Sequence, residues 1–276
     1  MGEPSDYPRD PLPSEEVPPP PEPEPRPNFC TRCGERWDPS WTECPRCAQA
    51  TARPVAKSPL FRRSPLRPAL SLYFALLGCS VIAFALVRTG EMDQADAEIL
   101  ITVAMSVLVV VWVMASFRRV APGLVRLGEG KWYIRAVVLG CVTFILAFAA
   151  VKLVVAALDV PQISGSGPLL KAGYGWWVVI LTVCVQPAVI EELAFRGVLL
   201  AGLQPVLGMR DAVIVSALMF MILHLTVLSF PHLLLIGLVL GWMRVRSGSL
   251  YPGMVLHFTH NLLVVLQEAL EKGGGL

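Results

Sequence analysis

Three short stretches in the second half of this chain place ionisable side chains inside apolar sequence. They are EELAFR at 191–196, FMILH at 220–224 and HFTHN at 257–261. A charged group at membrane depth costs about 2.5–3.5 kcal/mol on insertion scales, so such residues face a bundle interior and are read first as functional. Glu192 and Arg196 stand four apart, share a helix face and are expected to pair. Glu191 points about 100° away, toward a different neighbour. Pro187, one turn earlier, leaves the carbonyl of Val183 without its usual helical donor and favours a kink. His257 and Asn261 lie on one face, with His260 near it but offset. His224 stands alone in its run. These residue types can exchange protons, donate hydrogen bonds to a developing charge, or hold a metal through two His and a carboxylate. The bland readings are an ion pair at a helix end, a packing histidine and interhelical hydrogen-bonded glue. Proton-coupled transport uses the same side chains.

The elements that must position these residues follow from hydropathy. The 276-residue chain is 54% hydrophobic with a net charge of only +2, and its mean hydropathy is +0.59. Apolar runs near the roughly 20 residues that a bilayer demands predict an all-α polytopic membrane bundle of about seven helices over 69–276. The predicted spans are Ala69–Val87, Ala97–Phe117, Tyr133–Leu158, Tyr174–Leu203, Asp211–Ser229, Pro231–Arg246 and Leu250–Leu270. The sixth is the shortest and is expected to cross incompletely; His232, following Pro231, is expected in a solvated loop. Lys and Arg cluster before the first span, after the second and after the sixth, so odd-numbered spans start in the cytoplasm. Counting rise from those ends puts Glu191, His224, His257 and Asn261 in one layer, on the cytoplasmic-to-central side.

Ahead of the bundle lies a soluble appendage. Residues 1–28 form a Pro/Glu-rich tail that buries too little apolar surface to order, and it is expected to be disordered. Residues 29–48 contain two CxxC pairs, Cys30 with Cys33 and Cys44 with Cys47. Two such knuckles supply the tetrahedral sulfur set of a closed structural zinc site, hence a small zinc ribbon. Residues 49–68 are a basic linker. The orientation puts the zinc module in the cytoplasm, where thiols stay reduced. Cys79, Cys141 and Cys184 lie in apolar runs and read as packing residues.

Taken together, EELAFR, FMILH and HFTHN resemble the EExxxR, FxxxH and HxxxN motifs of the CPBP family, the CAAX proteases and bacteriocin-processing (Abi) proteins. The likeness covers about residues 170–265. It implies an intramembrane endopeptidase in the cell membrane, acting on a membrane-embedded or lipidated protein or peptide. Glu191 and His224 would activate water, and His257 and Asn261 would bind the oxyanion. Glu192 and Arg196 would hold the motif helix. Such a site requires no cofactor; zinc at the active site is the alternative, although Asn261 serves better as a donor than as a zinc ligand. A non-enzymatic scaffold, or a transporter-like ligand-binding protein built on the same polar layer, is the competing reading. Nucleic acid is not an expected partner.

Overall fold

The computed structural model describes residues 65–159 and 164–271, together with Asn28, Phe29, Gly34, Arg36, Trp37, Cys44, Arg46 and Cys47 of the N-terminal region. Residues 1–27, Cys30, Cys33 and linker residues 48–64 lie outside the described set. In the appendage, β1 (Asn28–Phe29) and β2 (Arg36–Trp37) pair antiparallel, Asn28 opposite Trp37 and Phe29 opposite Arg36. The pair brackets the first CxxC, and Cys44 is buried.

From residue 65 onward the described chain is helical. Its helices are α1 (Leu66–Thr89), α2 (Gln94–Ala115), α3 (Phe117–Val125), α4 (Gly130–Leu158) and α5 (Gly167–Lys171). There follow α6 (Trp176–Leu207), α7 (Met209–Leu223), α8 (Phe230–Ser247) and α9 (Tyr251–Glu271). Helix is the form an apolar run must take in lipid, because it satisfies every backbone group within the segment. The ends carry their own signals. Asp93 Oδ1 accepts from the Asp96 amide at 2.9 Å and caps the start of α2, as Asp does at an exposed N-terminus.

Five helices are long and apolar enough to cross a membrane: α1, α2, α4, α6, and α8 with its preceding turn, Val227–Ser247. The chain is a multi-pass membrane protein. The expected short crossing is misplaced, however. The sixth run is long enough, and the fifth is the short one: α7 has 15 residues and stops at Leu223 rather than running to Ser229. A reversal explains the stop. Leu225 takes a left-handed φ of 53°, and Thr226 Oγ1 donates to the His224 carbonyl at 3.0 Å. A 3-10 turn, Val227–Ser229, then leads into α8. His232 therefore lies in the first turn of α8, partly buried, and not in a solvated loop.

Packing follows the small-residue logic of membrane helices, in which close backbone approach replaces a hydrophobic driving force. α4 lies along α9, α7 along α8, and α1 along α2. At Gly237 of α8, an added Cβ would stand 3.0 Å from the Ala217 Cβ and 3.1 Å from its Cα, so only glycine permits this α7–α8 distance. The main core gathers Leu72 and Leu76 of α1, Phe195 and Leu199 of α6, Phe220 of α7, Leu240 of α8 and Leu256 of α9. Cys184 packs in a second, smaller core with Leu169, Val179 and Val265, as expected for a packing cysteine; Cys79 and Cys141 are half-buried.

Candidate active site

α6 carries the acids, and its geometry is the feature hydropathy did not foresee. Two π-helical stretches, Ile180–Val185 and Glu192–Leu199, interrupt it on either side of the α-helical turn Gln186–Glu191. π-bulges widen the helix, turn the residues that follow, and recur at functional sites. Pro187 sits between the two. The Val183 carbonyl that it deprives of a donor accepts instead from Asn261 Nδ2 of α9, at 2.8 Å. Gln186 Nε2 reaches α2, donating to Ser106 Oγ at 3.2 Å.

The expected pair forms. Arg196 Nη1 donates to Glu192 Oε1 at 2.8 Å, with both side chains 1% exposed. Arg196 Nη2 donates to the Gly237 carbonyl at 3.0 Å, tying α6 to α8. The guanidinium also lies over the Phe220 ring, 4.8 Å from its centroid. Such a buried pair is costly to form and more costly to break, since losing one partner strands the other charge.

Glu191 points elsewhere, as the 100° step requires. Its Oε2 is buried and makes no hydrogen bond to any described residue; the nearest ionic partner is His257 Nε2 at 3.9 Å. The other His257 nitrogen, Nδ1, lies 3.4 Å from Glu192 Oε1. The ring thus bridges both acids of the motif. His224 Nδ1 lies 2.8 Å from the Phe220 carbonyl. A carbonyl only accepts, so Nδ1 carries the proton and Nε2 is left as the basic nitrogen. Phe220 stacks edge-on against Phe195 and His257 and tilted against His224, so the aromatic residue of FMILH orders both imidazoles. His260 Nδ1 sits 3.1 Å from Thr143 Oγ1 of α4.

One cavity of about 640 Å³ collects these groups: Glu191, His224, His257 and Asn261 all line it. The convergence expected from the sequence is observed, and Glu192 and Arg196 lie behind it. Glu191 falls near the midpoint of the 32-residue α6, and the cavity runs outward toward the ends marked by Gln94, Ser164 and Thr226.

Sequence reasoning missed several contributors. His232 and His260 line the same cavity, so all four histidines of the chain do. Glu98 lies one turn into α2 and also faces it. Glu268 is 6% exposed. Its carboxylate accepts from the amides of Gly165 and Ser166 at 2.9 and 3.0 Å, from Ser164 Oγ at 2.8 Å, and from Ser166 Oγ. It holds the segment that forms one cavity wall. The run SGSG at 164–167, small hydroxyls among glycines, was the available signal for an anion-cradling turn.

Among the described residues, no three His, Cys, Asp or Glu side chains form a group fit to hold a metal ion. The Glu191–His257 pair lacks a third ligand at bonding range.

The fold and site define a polytopic helical membrane protein with a carboxylate, imidazoles and an amide gathered in an intramembrane cavity. Residues 173–263 match the family described as type II CAAX prenyl endopeptidase Rce1-like. The match supports the resemblance of this part of the chain to the CPBP proteins and, with it, intramembrane protease activity. No curated protein and no solved structure matches the chain.

Proposed function

We propose that the protein is an intramembrane endopeptidase that hydrolyses a peptide bond with water activated by Glu191 and His224. The observation that carries the reading is the single cavity onto which both groups open, each with a basic atom unspent: Glu191 Oε2 and His224 Nε2. A carboxylate on the cavity wall, with one oxygen not hydrogen-bonded to any described residue, is a competent base for water. The water's proton passes to this pair as its oxygen attacks the scissile carbonyl, and the same pair returns a proton to the leaving amine. The second Nδ2 hydrogen of Asn261 donates to the oxyanion as charge develops there, joined by His257 Nε2 when the ring carries both protons with Nδ1–H toward Glu192, the kind of preorganised contribution that dominates many hydrolases. Glu192 and Arg196 are positioning residues: Glu192 orients His257, and Arg196 fixes Glu192.

The cavity is continuous with two others. One of about 470 Å³ shares Glu98, Glu191 and His224 and extends between α1 and α2. The other, of about 220 Å³, shares His232 and His260 and is walled by Phe144, Phe148 and Val151 of α4. A trough passing on both sides of Glu191 suits an extended segment of a membrane-associated or lipidated polypeptide, with an apolar group in the α4 arm. Among the described residues no His, Cys, Asp or Glu group is arranged to hold a metal ion, and Asn261 serves better as a hydrogen-bond donor than as a zinc ligand; the reading therefore takes the glutamate–water route.

In the appendage we propose a structural zinc on Cys30, Cys33, Cys44 and Cys47, supported by the β1–β2 pairing around the first CxxC and the burial of Cys44. It lies on the cytoplasmic side by the charge of the flanking loops.

The test is cleavage by the reconstituted protein of a library of lipidated and unlipidated membrane peptides. Glu191→Gln and His224→Ala are expected to abolish it while leaving the fold intact. A Glu191→Gln variant that cuts at the wild-type rate removes the peptidase assignment and favours a scaffold.

A further inference from the structure

Two guanidiniums meet at the end of the bundle where α3, α8 and α9 come together. The Leu250 amide, in the turn between α8 and α9, donates to the Gly123 carbonyl of α3 at 3.0 Å and ties these elements. Arg244, in the last turn of α8, lies against Gly123: a Cβ there would stand 2.6 Å from its Nη2 and 3.0 Å from its Cζ. The missing side chain at 123 makes the room this guanidinium occupies. Arg126, the residue that ends α3, lies over Gly248, with Nη1 3.6 Å from where a Cβ would be. Gly248 is the left-handed residue that stops α8, and its amide donates to the Arg244 carbonyl at 3.1 Å. The two side chains are close enough for their charges to repel.

Among the described residues, no carboxylate compensates them. Arg244 Nε is buried and has no described hydrogen-bond partner. Glu129, the acid of the turn after α3, is spent on Lys131 at 2.5 Å, and Glu192, deeper in the bundle, on Arg196. An arginine at a helix C-terminus is ordinary, since it meets the negative end of the dipole. Arg246, on the same turn, is exposed and needs no other account. Arg244 differs because it turns inward beside a second guanidinium. Holding like charges together where one is half-buried is unfavourable, and an anion between them offsets that cost.

The short helix α3 indicates which anion. It faces the bundle through buried Val120 and Gly123, while Phe117, Arg118 and Arg119 stand exposed. Val125 and Leu127, on either side of Arg126, are exposed as well. Apolar and basic side chains exposed together at the end of a membrane bundle suit the lipid interface, the apolar groups among acyl chains and the guanidiniums at the phosphates. We infer that Arg126 and Arg244 form a binding site for one phosphate group, supplied by the headgroup of an anionic phospholipid packed against α3. A guanidinium presents paired N–H donors that match phosphate oxygens. Inorganic phosphate offers the same oxygens but no acyl chains for Val125 and Leu127 to cover. Neither arginine is among the residues that line the Glu191 cavity, so the inference does not rest on the peptidase reading.

The test uses the full chain in detergent micelles, titrated with dioctanoyl-phosphatidylglycerol, dioctanoyl-phosphatidylcholine or inorganic phosphate. Binding is read by native mass spectrometry and by the thermal unfolding midpoint. The phosphatidylglycerol is expected to fill one tight site and raise the midpoint, with the other two probes weaker by roughly tenfold or more. Arg126→Gln and Arg244→Gln should each weaken the phosphatidylglycerol by roughly tenfold, and the exposed Arg246→Gln by less than about twofold. Without lipid, Arg244→Gln should unfold no earlier than the wild type, because it removes an uncompensated charge. Arg126 is exposed, so its variant keeps the test open if Arg244→Gln does not fold. Equal affinity for the phosphatidylglycerol in the wild type and the arginine variants overturns the site. A lowered lipid-free midpoint for Arg244→Gln with unchanged affinity makes that residue structural and overturns it too. Inorganic phosphate bound as tightly as the lipid, with the same dependence on both arginines, keeps the phosphate site and overturns its lipid source.

Discussion

Asn261 has two tasks in this structure, and they can be separated. One hydrogen of its amide serves the Val183 carbonyl at 2.8 Å, the acceptor that Pro187 leaves without a helical partner. Asn261→Ala strands that carbonyl. An unsatisfied buried acceptor costs about 1–3 kcal/mol, whereas interhelical hydrogen bonds in membrane proteins average ~0.6 and reach ~1.7 kcal/mol. The expected loss is therefore about 1–2 kcal/mol. Pro187→Ala returns an amide hydrogen to the turn above Val183, so in that background Asn261→Ala should cost less than about 0.5 kcal/mol. The double-mutant cycle should show a coupling near 1 kcal/mol, well beyond the ~0.3–0.5 kcal/mol within which independent sites add. Reversible unfolding in mixed micelles, followed by tryptophan fluorescence, measures all four corners. Cleavage should stay lost in the double variant, because the second amide hydrogen, proposed for the oxyanion, is absent from both Asn261 variants. Additive stabilities would refute the coupling of Pro187 to Asn261. Recovered cleavage in the double variant would refute the oxyanion role.

Other substitutions probe the surrounding frame. Arg196→Met should cost about 3–5 kcal/mol by leaving the Glu192 carboxylate buried and unpaired, and Glu192→Leu added to it should recover much of that loss in the same unfolding assay. Gly253→Ala sets a methyl 2.9 Å from Glu192 Oε2; a displaced carboxylate re-aims His257, and kcat should fall up to about a hundredfold with little change in KM. Glu268→Ala should release the 164–166 segment, seen as faster proteolytic nicking between residues 159 and 167 and a stability loss of about 3 kcal/mol. The wild-type chain should carry about one zinc by elemental analysis, and Cys44→Ser with Cys47→Ser none, with cleavage unchanged because a four-Cys site is closed to substrate.

The polar layer was legible because its logic is periodic. The step of four from Glu192 to Arg196 and from His257 to Asn261 fixes which side chains share a face, whatever surrounds them. The partner of a freed carbonyl was legible only by half. Pro187 announces that Val183 needs a donor, but nothing in α6 says that the donor stands 78 residues later. The two π stretches carry no signal in hydropathy or spacing, since they depend on what the widened turns pack against. His232 was misplaced because Pro231 reads equally as a loop residue and as the first turn of a helix, and the strained Leu225 decides between them. Glu98 and Glu268 were missed for the opposite reason. Each lies near a helix end, where an acid is ordinary, and only the tertiary fold turns it inward.

Across to α8, Arg196 Nη2 ends on the Gly237 carbonyl rather than on a side chain. The receiving atom is the same for every amino acid, so no point substitution at position 237 can delete it. The anchor therefore drifts out of register only if α7 and α8 are pushed apart, which makes the size of one residue, and not its chemistry, the thing natural variation must respect.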